Sequence, residues 1–161
     1  MSLWTEIAER IGQSTGQPFG PTRAQAIGGG CINAAYRLDD GTRAYFVKLN
    51  DAELEAMFEA EAEGLAALAR TGTVRVPEPL CWGVAGGQSY IVMEYLDLGG
   101  SADMAAFGRQ LAAMHRATQE RFRWHRDNTI GSTHQPNTPA ADWIRFWRDR
   151  PPGLHRELAA R

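Results

Sequence analysis

The sequence predicts an α+β fold in which a small five-stranded antiparallel sheet and one long helix precede a helical part. Three observations predict this arrangement. Five short apolar or alternating segments between residues 26 and 95 are separated by turn-forming residues. One segment rich in Ala, Glu and Leu, 51–70, stands between the third and the fourth of them. After residue 102 the apolar residues instead follow helical spacing.

The first elements are a short helix and three strands. Apolar residues recur every four positions over residues 2–11, which predicts an amphipathic helix, and Gly12 is expected to end it. The strands that follow are joined by turns that contain glycine, which is typical of antiparallel hairpins. We expect these strands at residues 26–27, 32–38 and 44–49.

The long helix is expected over residues 51–70, and Gly72 ends it. Its apolar residues share one face, which comprises Leu54, Met57, Phe58, Leu65 and Leu68. Glu61 lies in the middle of that face, whereas the remaining glutamates are expected to be solvated: Glu53, Glu55, Glu59 and Glu63. Two further strands, 80–84 and 89–95, flank the Gly86-Gly87 turn.

The rest of the chain is expected to be helical apart from its loops. Helices are predicted over residues 103–118 and 140–150, and the polar segment 119–139 between them is predicted to be a long loop. We therefore divide the chain into a sheet part, a linker and an incomplete helical part, at residues 1–96, 97–102 and 103–161.

Composition excludes several classes of function. The formal net charge is -2, which gives no reason to expect nucleic acid or an anionic membrane as a partner. No segment approaches the roughly 20 apolar residues that cross a bilayer, and Glu6 and Glu9 stand where a signal peptide would be apolar. Four scattered histidines and two distant cysteines give no metal-ligand spacing. We expect a cytoplasmic protein without a metal site in this chain.

Lys48 is the only lysine among 17 basic residues, the others being arginine. A lone lysine indicates a position that needs a compact point charge rather than the planar fork of arginine. Glu61 faces the sheet, where a carboxylate needs a cation, because an unpaired buried charge costs several kcal/mol. We predict a Lys48–Glu61 ion pair. The alternative is that Glu61 reaches the end of its helix and pairs with an arginine or with nothing.

A sheet lysine paired with a helix glutamate, after a glycine-rich hairpin, is the arrangement that positions nucleotide phosphates in protein kinases. The run Gly28-Gly29-Gly30 can bring backbone N–H groups close to an anion, because it lacks side chains. It is not a Walker A loop, and alone it would indicate only a hairpin turn. Together with Lys48 and Glu61, it predicts a protein-kinase-like N-lobe in residues 1–96, with 97–102 as the hinge and 103–161 as the start of a helical C-lobe.

Seven separated strings resemble the fructosamine kinase (ketosamine 3-kinase) family, which is related in fold to aminoglycoside phosphotransferases and protein kinases. They occur in the family's order: G-G-G-C-I-N (28–33), Y-F-V-K-L-N (45–50), M-F-E-A-E (57–61), V-R-V-P-E-P (74–79), V-M-E-Y-L (92–96), D-N-T-I-G-S (127–132) and D-W-I-R-F-W (142–147). The resemblance implies transfer of a phosphoryl group from ATP, with Mg²⁺, to a sugar hydroxyl of a ketosamine or a glycated protein.

The resemblance also implies roles for individual residues. Lys48 would hold the nucleotide phosphates and Glu61 would orient it. Glu94, Tyr95 and Leu96 match the hinge whose backbone binds the adenine edge. The cofactor site would thus comprise Gly28, Gly29, Gly30, Cys31, Lys48, Glu61, Glu94, Tyr95 and Leu96. Asp127 and Asn128 would belong to the substrate side.

Other parts of the family pattern are absent from these 161 residues. The family's His-Gly-Asp catalytic loop and second, Mg²⁺-binding Asp do not occur, so these residues alone are expected to be inactive. The catalytic residues and the metal ligands are therefore expected downstream of Arg161. The string His125-Arg126-Asp127 is similar to the H-R-D loop of protein kinases, but Ser132 stands where that loop has Asn, and no Asp-Phe-Gly follows. Arg123 also replaces the family's usual glycine.

Two further expectations concern partners and alternatives. Cys31 resembles a redox-sensitive position that could pair between two chains, although an inert turn residue is the alternative. Apolar surface on the C-lobe helices is also expected to favour self-association. Rival functions are an aminoglycoside- or choline-type kinase, a non-catalytic nucleotide-binding or regulatory module, and an interaction domain.

Overall fold

A computed structural model describes residues 1–28, 32–101, 103–131 and 133–148 of the chain. These residues fall into two compact units, 1–115 and 116–161. The predicted linker at 97–102 therefore lies within the first unit. None of the described helices is both long and apolar enough to cross a membrane.

The first unit contains a five-stranded antiparallel sheet, as the sequence predicts. Its strands are β1 (Arg23–Ile27), β2 (Ala34–Asp39), β3 (Ala44–Asp51), β4 (Pro79–Ala85) and β5 (Gln88–Glu94). They lie across the sheet in the order β1-β2-β3-β5-β4. The helices are α1 (Leu3–Thr15), α2 (Glu55–Arg70) and α3 (Met104–Met114), and a 3₁₀ turn, Ala52–Leu54, precedes α2.

The sheet is covered on both faces, so residues alternate between two cores along each central strand. Helix α1 packs against the face that carries Val47 and Leu49 of β3. Helix α2 packs against the opposite face, where Phe58 contacts Ile91 and Met93 of β5. Lys48 pairs in register with Ile91, and it therefore lies on the α2 face.

Helix α1 is longer than the sequence predicted, because Gly12 does not end it. The helix begins after Ser2, whose hydroxyl accepts the backbone N–H of Thr5, and it continues to Thr15. It ends where Gly16 adopts a left-handed conformation with φ of 69°. A single internal glycine costs only about 1 kcal/mol, which burial of Ile7 and Ile11 outweighs.

The apolar stripe of α2 is buried over less of its length than predicted. Phe58 is fully buried and Leu65 is half-buried, but Leu54 and Leu68, at the two ends, are 40% and 37% exposed. Leu54 lies in the 3₁₀ turn before α2 and therefore does not follow the α-helical spacing of the apolar face. The expectation of fully solvated side chains is also wrong for Glu59 and Glu63, which are half-buried.

The turn between β4 and β5 fastens α1 to the sheet through Gly86. Gly86 and Gly87 both have positive φ, as a type I′ hairpin turn requires. The N–H of Gly86 donates to Glu6 Oε2 over 3.0 Å, and a Cβ on Gly86 would lie 3.0 Å from Leu3 Cβ. A Cβ on Gly87 would meet nothing within 4 Å.

Gly86→Ala should therefore destabilise the first unit more than Gly87→Ala. Both substitutions impose a left-handed conformation, at about 1 to 2 kcal/mol each, and only Gly86→Ala adds overpacking against α1, at about 1 to 3 kcal/mol. Urea denaturation of the two variants checks this expectation. Equal losses of stability in the two variants would show that α1 moves to accommodate the added methyl group at no cost in free energy.

Two predictions for the segment after the linker are wrong. Helix α3 ends at Met114 rather than residue 118, and residues 128–130 pair antiparallel with residues 133–135 where a loop was expected. These two strands are β6 (Asn128–Ile130) and β7 (Thr133–Gln135), each only three residues long, which is too short for a strand pattern to be recognised. Helix α4 spans Trp143–Arg148. The predicted helical residues 149 and 150, and the rest of the predicted C-lobe as far as Arg161, lie outside the described ranges.

Apolar side chains on the helices after the linker are exposed. No residue of α3 is buried, and Met104 is 68% exposed. In the second unit Trp143 and Ile144 are 50% and 71% exposed. Self-association through these helices stays a prediction.

Candidate functional site

Lys48 and Glu61 form the ion pair that the sequence predicted. Lys48 Nζ donates to Glu61 Oε1 over 2.6 Å. Their side chains are 26% and 27% exposed, so the pair is largely shielded from solvent but still accessible to it. An ammonium group has three protons, and among the described residues only Glu61 accepts one from Lys48.

The packing of α2 explains why Glu61 reaches Lys48. Phe58 lies three positions before Glu61 and Leu65 four positions after it, so all three share one helical face. Phe58 is fully buried against the sheet, and Leu65 packs against the same cluster. The core thereby fixes the rotation of the helix and directs the carboxylate toward β3.

The described residue before the glycine-rich run, Ile27, lies two strands from Lys48. Ile27, Ala35 and Lys48 lie in one cross-strand row, because Ile27 pairs with Ala35 and Ala35 with Lys48. Adjacent strands are about 4.8 Å apart, so the backbone at Ile27 is about 10 Å from Lys48. Gly28 follows Ile27 and is exposed. The other predicted residues of this loop, Gly29, Gly30 and Cys31, lie outside the described residues.

The predicted hinge residues follow the last sheet pairing. Glu94 pairs with Tyr45, and its N–H donates to the carbonyl of Glu78 over 2.8 Å. Its carboxylate forms an ion pair with Arg75. Tyr95 and Leu96 lie beyond the ladder and are half-buried. The segment Glu94–Leu96 thus lies at the C-terminal end of β5, the strand that pairs with the Lys48 strand β3. Adenine binding by this segment stays a prediction.

An arginine that the sequence analysis did not single out lies at this hinge. The Arg37 guanidinium lies over the Tyr95 ring, 4.9 Å from its centroid, and Arg37 also pairs with Asp39. Cation–π contacts of this kind contribute about 0.5 to 1 kcal/mol at exposed sites. Arg37 therefore stabilises the orientation of Tyr95. No sequence signal marked this position, because arginine is the ordinary cation throughout this chain.

In the second unit, Asp127 and Asn128 are held by Asn137, which the sequence analysis missed. The N–H of Asn137 donates to Asp127 Oδ1 over 2.7 Å, and its side-chain amide donates to Asn128 Oδ1 and to the Arg126 carbonyl, each over 3.0 Å. Asn137 is only 7% exposed. Asp127 Oδ2 also lies 3.5 Å from His134 Nε2. Both predicted substrate-side residues thus have structural partners; their binding role stays a prediction.

The described part of the chain contains no group of three or more His, Cys, Asp or Glu placed to hold a metal ion. Cys81 is half-buried and unpaired by disulfide. Burial raises the pKa of its thiol to about 11, so it stays protonated at neutral pH and is a poor nucleophile. Redox activity of Cys31 stays a prediction.

The predicted place of the catalytic base and the Mg²⁺ ligands, downstream of Arg161, lies outside the described residues and stays a prediction.

Comparisons with known proteins agree in pointing to one family. The profile of the family described as fructosamine kinase matches residues 3–161. A probable ketoamine kinase of Synechocystis is 47% identical over 161 residues, which cover 98% of this chain and 55% of that protein. A chloroplastic protein-ribulosamine 3-kinase of Arabidopsis thaliana is 46% identical over 142 residues, covering 86% of this chain and 44% of that protein.

Solved structures support the same fold. A candidate fructosamine-3-kinase from Thermobifida fusca matches with a TM-score of 0.75 and 31% identity, over 96% of this chain and 54% of that one. Another from Haemophilus somnus matches with a TM-score of 0.88 and 24% identity, over 94% and 52%. The chain spans about half the length of the curated relatives that it matches. From the match over residues 3–161, the chain belongs to the fructosamine kinase family.

Proposed function

We propose that this chain carries the nucleotide-binding part of an ATP-dependent kinase that phosphorylates a sugar hydroxyl of ketosamines, either small molecules or glycated proteins. The observation that carries the proposal is the half-buried Lys48–Glu61 pair, in a chain of the fructosamine kinase family. The names of the relatives, ketoamine kinase and ribulosamine 3-kinase, support the reaction and the substrate class.

The chemistry of the donors fits a nucleotide polyphosphate. Lys48 retains protons that no described residue accepts, and its side chain is partly exposed. In this proposal Lys48 binds oxygens of the α and β phosphates, while Glu61 holds the ammonium in place. The glycine-rich segment supplies backbone N–H groups to the phosphates, and the backbone of Glu94–Leu96 binds the adenine edge.

Phosphoryl transfer breaks the bond between the γ-phosphorus and its bridging oxygen, and it forms a bond from that phosphorus to the sugar oxygen. The hydroxyl proton must pass to a base. Asp127 is not assigned this role, because the H-R-D string that it ends has Ser132 in place of the expected Asn and no Asp-Phe-Gly after it. The described residues provide no cluster that fits Mg²⁺, so we assign them no step that involves the metal.

We therefore expect the 161-residue chain to bind ATP without turning it over. A positioned base contributes about 10² to 10⁴ in rate, and the sequence contains no His-Gly-Asp string to supply it. Calorimetric titration with MgATP should show saturable binding. Incubation with MgATP and a ketosamine should release no ADP in proportion to the protein.

The two measurements separate the parts of the proposal. Steady ADP release that rises with protein and requires the ketosamine would show that the base lies within these residues. Absence of any heat on titration would contradict nucleotide binding by this chain, and would favour an interaction domain instead.

A further inference from the structure

Ile32 and Asn33, the two residues that follow the glycine-rich run, are held to β3 by side-chain hydrogen bonds from Asn50, which we call the clamp. Asn50 Nδ2 donates to Asn33 Oδ1 over 2.6 Å and to the Ile32 carbonyl over 3.3 Å. Its Oδ1 accepts the N–H of Asp51 over 2.8 Å. Both donor protons and the acceptor oxygen of this amide are therefore used.

The clamp begins where the β2–β3 ladder stops. Ala34 pairs with Leu49 in the last register pair, so Asn33 and Asn50 stand opposite each other one step beyond it. Beyond the ladder, hydrogen bonds from the Asn50 side chain, and not backbone pairing, hold Ile32 and Asn33 as the chain enters β2. Asparagine is disfavoured in strands because its side chain competes for backbone hydrogen bonds, and here that tendency fixes the end of the loop.

The β3 side of the clamp is rigid. The Asp51 carbonyl accepts from Ser89 Oγ over 2.7 Å, and Ser89, on β5, is fully buried. Asn50 is also two positions from Lys48 on the same strand, so both side chains lie on one face of the sheet. The residue that anchors the loop and the residue predicted to bind phosphate thus share one short, well-packed stretch of backbone.

We infer that Asn50 is a positioning residue that holds Ile32 and Asn33, where the chain enters β2, in register with Lys48 for a polyphosphate ligand. The inference rests on the proposed function, since it takes the ligand to be ATP. Residues that are already held in place lose less conformational entropy when a neighbouring ligand binds. Loss of the clamp should weaken nucleotide binding without direct contact between Asn50 and the nucleotide.

The test uses Asn50→Leu, which is neutral and similar in size, with Asp51→Glu as the matched control. Asp51 contributes only backbone groups to the clamp, and its side chain makes no capping hydrogen bond. In Asn50→Leu we expect backbone amides of residues 32–36 to exchange at least about 10-fold faster. We expect the dissociation constant of MgATP to rise about 10-fold, with both quantities near wild type in Asp51→Glu.

Amide exchange tests the clamp itself, and MgATP affinity tests its role in nucleotide binding. Unchanged exchange at residues 32–36 overturns the clamp, whatever happens to ATP. Faster exchange with unchanged ATP affinity overturns its role in binding. Equal effects of Asn33→Leu, Asn50→Leu and the double variant support it, because residues that act through one contact are not additive. If wild type binds no MgATP, the proposed function fails and the role in binding fails with it, while the exchange data still establish or exclude the contact.

Discussion

Lys48→Ala should weaken MgATP binding by about 10- to 100-fold. A hydrogen bond to a charged group contributes about 1.5 to 3 kcal/mol, and each 1.4 kcal/mol is tenfold in affinity. Lys48 is the sole lysine of the chain, and its partly exposed side chain places the ammonium 2.6 Å from Glu61 Oε1. Lys48→Arg should also bind less tightly, because a planar fork cannot replace a compact ammonium between a carboxylate and a phosphate. Calorimetric titration of each variant measures the change.

The variants need a control that removes a paired cation elsewhere. Arg43 is suitable, because it pairs with Asp40 over 2.7 Å at the turn between β2 and β3, at the other end of these strands. Arg43→Ala should leave MgATP affinity within about twofold, as expected for a pair that acts locally. Equal affinity of wild type and Lys48→Ala would show that the Lys48–Glu61 pair only joins α2 to the sheet.

Much of the first unit could be predicted because its signals are local. Glycine turns set the hairpins, and the apolar face of α2 oriented Glu61 toward the only lysine, which the 2.6 Å contact confirms. The extent of α1 could not be predicted, because its continuation past Gly12 depends on tertiary burial of Ile7 and Ile11. Propensity is a weak guide where packing decides.

The polar contacts were harder to predict than the charged pair. Asn33 and Asn50 are far apart in sequence, and only the register of β2 and β3 places them opposite each other. Asn137 lies in a polar segment with no periodicity, and its burial arises from contacts with Arg126, Asp127 and Asn128. A sequence signal did exist for Asn50, since asparagine near the end of a strand interrupts the expected pattern.

Phe58→Ala should lower the free energy of unfolding by about 3 to 5 kcal/mol, the range for removing a large aromatic side chain from a packed core. Phe58 is fully buried and joins α2 to Ile91 and Met93 of β5. Domains of this size are commonly stable by only about 5 to 15 kcal/mol, so the variant will be close to unfolding. Urea denaturation followed by circular dichroism measures the loss.

Leu68→Ala is the matched control, because Leu68 belongs to the same helix but is 37% exposed. Its cost should stay below about 1.5 kcal/mol, less than full burial of such a side chain contributes. A loss as large as that of Phe58→Ala would mean that the exposed end of α2 contributes as much to packing as its buried centre, because alanine has a higher helix propensity than leucine. Phe58→Leu keeps most of the apolar volume and should fold. Because Phe58 and Glu61 share one face of α2, this milder variant should still weaken MgATP binding, since a shifted helix moves the carboxylate that orients Lys48.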